Sequence, residues 1–574
     1  MDRDKLATLI NEIATYLDLL GENPFKIRAH QNAVRIIESF DGDLEKAIKS
    51  GAIGEVKGIG PALKEKFEEF LKSGEITEHK KLQKKIPQGL MEMIRIPGLG
   101  PKKVRAIYNK LNITSVGELE YACKENRLVK LEGFGEKTQV KILKNIEFVK
   151  KYQESFLYSD AALEAQILVA ALKSVKGVTK IEVGGSLRRR KEIVRDIDIL
   201  VATSDPKSVT KKFSTHPSVE SITGSGETKT SVVLKNGMAC DLRVVTEQEF
   251  PFALLYFTGS KEHNTVMRQI AKDKGLKLNE YGLYKGEKPT PCKTEAEIFE
   301  KLGLVYISPE MRENNGEIEA AKKKSLPQLI ERDQIRGIFH CHTTDSDGTN
   351  TLEEMVGAAQ KLGFEYIGIS DHSATSAGYA HGMKKDRLLE QFKAIEALQK
   401  KFKIKIFKGI ESDILSDGSL DYEDAVLKKF DFIIGSIHQG FTLSQDQMTK
   451  RVLKAVKNPY LDFLGHPTGR LLLAREAFEI NMHTIIDEAA KQGVIIELNA
   501  NPQRLDMDWR LGKYLKEKGG RVSINPDAHS IAGLEDVEYG VGIARKAWLS
   551  AENIVNTLPA DKVLAALPRA RHLK

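Results

Sequence analysis

Residues 184–190 read Gly-Gly-Ser-Leu-Arg-Arg-Arg and residues 195–201 read Arg-Asp-Ile-Asp-Ile-Leu-Val, with a short basic segment between them. Side chains alternate between the faces of a strand, so Asp196 and Asp198 project together while Ile197, Ile199 and Val201 pack on the other side. Carboxylates two residues apart supply hard oxygen ligands of the kind Mg²⁺ takes. The Gly184-Gly185-Ser186 turn offers backbone N–H groups and a hydroxyl to a phosphate, and Arg188, Arg189 and Arg190 beside it would balance polyphosphate charge. Residues 238–245, Met-Ala-Cys-Asp-Leu-Arg-Val-Val, read as a second acidic strand in which Asp241 and Arg243 share a face. A third carboxylate is thereby supplied, and three can hold two Mg²⁺ ions.

The Gly-Ser and Asp-x-Asp stretch resembles the signature of the nucleotidyltransferase superfamily. Residues 251–268, Pro-Phe-Ala-Leu-Leu-Tyr-Phe-Thr-Gly-Ser-Lys-Glu-His-Asn-Thr-Val-Met-Arg, resemble the nucleotide-binding segment of DNA polymerase β and its relatives, the X family. This resemblance implies that Asp196, Asp198 and Asp241 form the catalytic triad. It also implies that Gly185, Ser186 and Arg189 meet the triphosphate, and that Tyr256, Phe257 and Gly259 form the sugar-binding segment. Asn264 and Arg268, which share a helix face at i and i+4, match minor-groove contacts to the incoming and templating bases.

A chain of 574 residues is too long for one core, so three or four domains are expected. With 41% hydrophobic and 29% charged residues it has the composition of an ordinary globular protein. The first residues are charged and open a periodic helix through Leu6, Leu9, Ile10, Ile13, Leu17 and Leu20 rather than a signal peptide. No run of 18 apolar residues occurs, so a soluble, cytoplasmic protein without membrane contact is expected. Cys123, Cys240, Cys292 and Cys341 are too scattered for a disulfide framework or a zinc finger. Residues 51–200 hold 29 Lys and Arg against 20 Asp and Glu, a surplus that exceeds the net +8 of the whole chain. A basic surface concentrated there predicts a polyanion such as DNA.

Within that segment one pattern recurs. Val56-Lys57-Gly58-Ile59-Gly60-Pro61 is echoed by Ile96-Pro97-Gly98-Leu99-Gly100-Pro101 and, more loosely, by Leu131-Glu132-Gly133-Phe134-Gly135-Glu136. Each copy places apolar-x-Gly-apolar-Gly before a helix with lysines in its first turns, and so resembles the helix-hairpin-helix motif. The glycines let backbone N–H groups at a helix start approach a phosphate, which holds DNA without reading its bases.

From Tyr306 to about Leu329 the pattern weakens and reads as a linker. After Arg336 a short apolar run, then His or a carboxylate, then a helical pattern repeats seven times, the layout of a βα barrel with its site at the strand ends. The polar set there is His340, His342, Asp347, His372, Glu411, His438, His466, Asp527 and His529, holding six of the thirteen histidines. Mixed imidazole and carboxylate ligation suits Mn²⁺, Zn²⁺ or Fe, about three ions in all. The set resembles the PHP (polymerase and histidinol phosphatase) metallophosphoesterase domain.

Together these motifs resemble the bacterial DNA polymerase X family over nearly the full length. The expected class is a multidomain α+β and α/β chain: helical helix-hairpin-helix domains, a nucleotidyltransferase-type palm with a nucleotide-binding thumb, and a C-terminal distorted seven-stranded βα barrel. The boundaries expected are a lyase-like helical domain at 1–85, a second helix-hairpin-helix subdomain at 86–150, palm at 151–245, nucleotide-binding subdomain at 246–310, linker at 311–335 and PHP domain at 336–574. The resemblance implies a monomeric gap-filling repair polymerase taking dNTPs and gapped or primer–template DNA, with Mg²⁺ or Mn²⁺ in the palm. It further implies a metal-dependent 3′-5′ exonuclease, with action at abasic sites, in the barrel. Lys66 matches the Schiff-base lysine of the animal enzymes, its amine deprotonated through neighbouring cations such as Lys26 and Lys64 and through partial burial. Ala62, standing where those enzymes carry a lysine, removes one cation from that field. Two other readings are a DNA-end or gap-binding scaffold with a weak polymerase site and a structural PHP domain, which would need neither ligand set, and a small-molecule phosphatase carried on a nucleotidyltransferase, which leaves the helix-hairpin-helix copies without a role.

Overall fold

The apolar positions Leu6, Ile10, Ile13 and Leu17 recur at helical spacing and are all buried along the first helix, Arg3–Leu20. Asn23 then starts the next helix, Pro24–Ser39, its side chain accepting from Phe25 N at 2.9 Å with proline at the first turn. The computed structural model describes residues 3–569 apart from Asp41, Glu132, Gln153 and Tyr379, and the chain divides into two compact units, 1–153 and 154–574. The first is helical and its buried residues from Leu6 to Ile146 form a single cluster. One buried cluster therefore runs through both segments, 1–85 and 86–150.

The second unit begins with the palm. Strand β1 (Phe156–Leu157) pairs with β3 (Ile193–Val194), and a five-stranded sheet is built from β2 (Val178–Val183), β4 (Asp196–Thr203), β5 (Val219–Ser225), β6 (Lys229–Leu234) and β7 (Ala239–Val245) in the order β2-β4-β7-β6-β5. Strand β4 is second from the edge, antiparallel to β2 and parallel to the central strand β7. Ile197, Ile199 and Val201 pack in one cluster with the helix Tyr158–Lys173, while Leu200 and Ala202 pack on the opposite face against Phe250, Ala253 and Leu254. The alternation thus puts Asp196 and Asp198 on the side of the helix Phe250–Thr258, which carries Tyr256 and Phe257. The thumb continues through the helix Lys261–Asp273 and a small antiparallel sheet of β8 (Lys277–Asn279), β9 (Gly282–Lys285) and β10 (Lys288–Thr290).

The stretch 311–335 is not a linker. Met311, Ile318, Ala321, Leu329, Ile330 and Ile335 are buried, Glu317 pairs with His263 at 2.8 Å, and Arg312 is fully enclosed with Nη1 donating to Glu295 at 2.6 Å. Its polar surface pattern hid a strap whose few apolar and charged anchors are spaced too irregularly to show a period.

The last domain contains β11 (Gly337–Ile338), β12 (Tyr366–Ile369), β13 (Lys405–Asp413), β14 (Phe432–Ser436), β15 (Phe463–Leu464), β16 (Ile495–Asn499) and β17 (Val522–Asn525), seven parallel strands in sequential order. Helices intervene between them, as parallel connections require. Inside the barrel Phe339, Tyr366, Phe407, Phe432 and Phe463 form an aromatic floor, Phe339 standing 4.9 Å from both Phe432 and Phe463. Gly409 makes room for it: a Cβ there would lie 2.1 Å from the Phe432 ring. The seam between β17 and β11 carries no strand ladder. Asn556 Nδ2 donates to Gly337 O and Ile524 O at 3.0 Å each, and above it His342 N donates to Ala528 O at 2.9 Å.

Candidate functional site

The palm site rests on a register match: in the parallel pair β4–β7, Asp198 lies opposite Asp241, with Asp196 two residues upstream. Burial, then the charges of Asp196 and Asp241, push the Asp198 carboxyl up to about 7. Burial and Asp241 likewise raise Asp196. Lys229 Nζ stands 2.6 Å from Asp241 Oδ2 and offsets part of this charge. Three carboxylates brought together on one sheet face, two of them resisting ionisation, are suited to divalent cations, so the donor set fits Mg²⁺ or Mn²⁺. Gly185 closes the site from above at φ +60°, and a Cβ there would sit 2.3 Å from Asp198 Oδ2. Ser186 follows it in the short turn Gly185–Arg188.

The arginine run is used differently from its sequence reading. Arg188 forms a two-pronged pair with Glu295, at 3.0 and 2.6 Å. Arg189 Nε donates to Glu313 at 3.1 Å and its Nη1 to Thr258 O at 2.5 Å. Arg190 reaches Glu538 of the barrel domain at 3.1 Å. Consecutive residues in a tight turn point in different directions, so the triplet clamps palm to thumb and to barrel instead of forming one counter-charge. Of these, Arg189 lies against Gly259, where a Cβ would come 3.0 Å from Nη1. Phe257 is covered by the Arg243 guanidinium at 4.8 Å and meets Tyr256 edge-on. Asn264 Nδ2 donates to Tyr256 O at 2.7 Å, and Arg268 lines a small cleft with Tyr256 and Asn264.

The barrel site gathers all nine residues of the polar set into four overlapping groups: His342, Asp347, His372 and His529; His340, His466 and Asp527; His340, His342 and Glu411; and His372, Glu411 and His438. Glu411, at the buried end of β13, is the hub, its oxygens 2.9–3.7 Å from ring nitrogens of His340, His342, His372, His438 and His466. Several of these approaches are not aligned as hydrogen bonds. His340 Nε2, both ring nitrogens of His342 and Glu411 Oε2 are buried without a hydrogen-bond partner. Lone pairs that converge on common points without bonding one another fit cations, and N/O donors of this mix fit Zn²⁺, Mn²⁺ or Fe. The charge agrees. Burial works against a charged imidazole, yet Glu411 and Asp347 push His372 up to about 10, and Asp347 and Asp527 push His529 up to about 9. Burial with His529 and His372 holds His342 down at about 3. His340, His466 and Asp527 have φ of 57°, 22° and 52°, a left-handed backbone that residues with a Cβ rarely adopt, here concentrated where three strand ends turn toward one point.

Sequence reasoning missed the residues that aim these ligands. Glu497 Oε1 lies 2.6 Å from His340 Nδ1, and Asp413 Oδ1 2.5 Å from His438 Nδ1, leaving each Nε2 turned to the cluster. Asp371, fully buried, accepts from Thr343 N, Thr343 Oγ1, Ser346 Oγ and Gln391 Nε2 at 2.5–2.9 Å and so shapes the loop that carries Asp347. Asp413 was visible in principle, being two residues from Glu411 on one strand face. Glu497 was in view as the carboxylate of the run Ile496-Glu497-Leu498-Asn499, but nothing there separated a residue that aims a ligand from a ligand.

In the first unit the three glycine loops share one hydrogen-bond pattern. Ile59, Leu99 and Phe134 are buried, and their N–H groups donate to Val56, Ile96 and Leu131 at 3.0 Å. Gly58, Gly98 and Gly133 have φ of 104°, 84° and 83°, whereas Gly60, Gly100 and Gly135 precede the helices, with open space where a Cβ would stand. The third copy, looser in sequence, is equivalent in backbone; Glu132 lies outside the described residues. Lys66 Nζ pairs with Glu78 at 2.8 Å, and Lys26 reaches the other oxygen of that carboxylate at 3.0 Å. Burial pushes Glu78 up, but the two lysines outweigh it and hold the acid ionised. A carboxylate partner stabilises the ammonium, the opposite of the cationic field expected around Lys66. Lys64 turns away toward Glu68.

Family profiles match four stretches: a helix-hairpin-helix domain at 1–76, a SAM-like helix-hairpin-helix tandem at 90–147, the DNA polymerase beta thumb at 253–313 and the PHP domain at 339–501. The chain is 37% identical over 576 residues to the DNA polymerase/3′-5′ exonuclease PolX of Bacillus subtilis, an alignment covering 99% of this chain and 100% of that protein. It is 28% identical over 230 residues to a probable phosphatase of Thermoanaerobacter sp., covering 38% of this chain and 89% of that protein. A Leishmania infantum polymerase beta solved as a ternary complex aligns with 39% of this chain and 100% of that one, at 22% identity and a TM-score of 0.27. With a full-length relative at this identity and both halves matched by their own profiles, the chain belongs to the bacterial PolX family, family X DNA polymerases joined to a PHP domain.

Proposed function

We propose that the chain fills short gaps in DNA by templated nucleotidyl transfer in the palm and trims 3′ ends by phosphodiester hydrolysis in the barrel, with dNTPs and gapped or primer–template DNA as substrates. The observation that carries this reading is the presence of two separate ligand sets, three aspartates on the palm sheet and nine His, Asp and Glu residues at the barrel's strand ends. Divalent cations held by the aspartates would neutralise charge developing on the triphosphate, and those held in the barrel would polarise a phosphodiester. The chain's own groups do the rest. Gly185 keeps Asp198 accessible, Arg189 and Ser186 stand beside the phosphate path, and Phe257 with Tyr256 walls the sugar. In the barrel, Glu497 and Asp413 fix the imidazoles of His340 and His438 so that one nitrogen of each is directed inward. The glycine loops of the first unit offer N–H groups to backbone phosphates and so give a grip independent of sequence. Lyase chemistry at Lys66 would require its amine to leave the ion pair with Glu78.

A 5′-labelled primer on a one-nucleotide gap, with and without dNTPs, tests the division. Asp198→Asn or Asp241→Ala should abolish lengthening and leave shortening measurable. His342→Ala or His438→Ala should abolish shortening and reduce bound metal while sparing lengthening. Equal loss of both activities in folded variants would refute two separate sites.

A further inference from the structure

Lys546 closes the barrel-domain helix Val537–Lys546 and is 0% exposed. A buried ammonium must be fully partnered, and the partners here lie outside its own domain. Its Nζ donates to Arg189 O at 3.1 Å in the palm, and to Glu310 O at 3.2 Å and Glu313 Oε1 at 2.5 Å in the strap. The barrel domain contributes the cation and an aromatic wall, Trp509, whose ring centre is 4.7 Å from Nζ. Glu313 Oε1 accepts from Arg189 Nε as well, at 3.1 Å, so one carboxylate oxygen is shared between a PHP cation and an arginine of the nucleotide site.

We propose that Lys546 is a positioning residue of the polymerase, sharing Glu313 with Arg189 and so setting how readily Arg189 turns to the triphosphate of an incoming nucleotide. This rests on the reading of Arg189 as a triphosphate contact. To meet a phosphate, the Arg189 guanidinium must leave Glu313, whose side chain is only 10% exposed. With Lys546 in place the carboxylate keeps a close cation after Arg189 departs. Without it the nearest remaining cation is Lys191, 3.9 Å from the other oxygen, and a buried, poorly paired carboxylate would hold Arg189 back. The amine is charged at neutral pH, since burial draws its pKa down only to about 8 against the pull of Glu313. The PHP domain thereby supplies part of the polymerase's nucleotide site without touching nucleotide.

Single-nucleotide insertion on gapped DNA tests this. In Lys546→Met the dNTP KM should rise about tenfold or more, the cost of stranding a charge-assisted pair, with kcat within about twofold. Shortening in the absence of dNTPs should be unchanged, because Lys546 touches no barrel ligand. Adding Glu313→Gln should return KM to near the wild-type value, since no carboxylate then retains Arg189. That paired variant leaves no buried carboxylate without a cation, and Arg189 keeps its bond to Thr258 O, so it serves even where the single variant folds poorly. A wild-type KM in folded Lys546→Met, or a paired variant that keeps the full defect, would overturn the proposal. Arg189→Ala separates the layers: if it leaves KM unaltered, the role of Arg189 itself fails, and if it raises KM while Lys546→Met does not, only the role of Lys546 fails.

Discussion

The palm centre and the barrel centre are both acidic, but they are built on opposite principles. The palm brings three carboxylates to a sheet face with one lysine among them, and its central acid is pushed toward neutrality by its neighbours. The barrel encloses nine ligands, several of them fully buried, and secures their ring nitrogens with further acids behind them. The first would take its cations together with a triphosphate. The second is a donor set fixed in advance for the cations it would hold. A site renewed at each turnover must be open and self-repelling, whereas a resident site must be fixed and internally balanced.

The sharpest way to break this contrast is metal exchange. After chelation and desalting, Mg²⁺ alone should restore lengthening at once while shortening remains absent until Mn²⁺, Zn²⁺ or Fe is returned; simultaneous recovery of both in Mg²⁺ would erase the distinction. Next, Gly185→Ala places a Cβ against Asp198 at a left-handed φ. Lengthening should fall about a hundredfold, a loss of roughly 3 kcal/mol of transition-state stabilisation, with shortening untouched; near-normal extension would show that the palm is looser than described. Glu497→Gln or Asp413→Asn should weaken metal retention and shortening about 10- to 100-fold, measured by bound metal and nuclease rate, with polymerisation as the internal control.

The smallest effect is a pH dependence. Asp198 has a folded pKa of about 7 against 3.8 for the ordinary group, so between those values the metal-free folded state holds a proton that the unfolded chain has released. Its contribution therefore declines as pH rises from about 4 to about 7 and is constant below that window. Denaturation of the wild type against Asp198→Asn should show this slope, and saturating Mg²⁺ should remove it. A difference that grows with pH in metal-free protein would contradict the self-repelling palm.

How much of this was legible depended on periodicity. The ligands of the barrel ended apolar runs, so Glu411 and His466 announced themselves, and Asp196 and Asp198 did so by alternating with Ile197 and Ile199. What fixes those ligands was hidden wherever no period pointed to it. Glu497 lies inside a wholly buried strand, and Arg188, Arg189 and Arg190 look alike in sequence yet go to three different acids. The strap at 311–335 failed for a related reason, since Arg312 and Glu317 are buried through charge pairing rather than through an apolar repeat. The single cluster from Leu6 to Ile146 could not be foreseen from three motif copies, which mark loops and not the packing between them.

The barrel's seam has a consequence for wear. Strands β11 and β17 meet through the amide of Asn556 and a few backbone bonds at His340, His342 and Ala528. The ligands flanking that join are divided between its two lips, His340 and His342 on one and Asp527 and His529 on the other. Any cation bridging them is a rivet through the weakest line of the cylinder, so a molecule stripped of metal loses a nuclease and a fastening in the same event. Amide exchange along Phe339 and Ile524 would register that loosening long before the remaining strands part, and the polymerase half, clamped to this domain through Arg190 and Lys546, would feel the frame slacken.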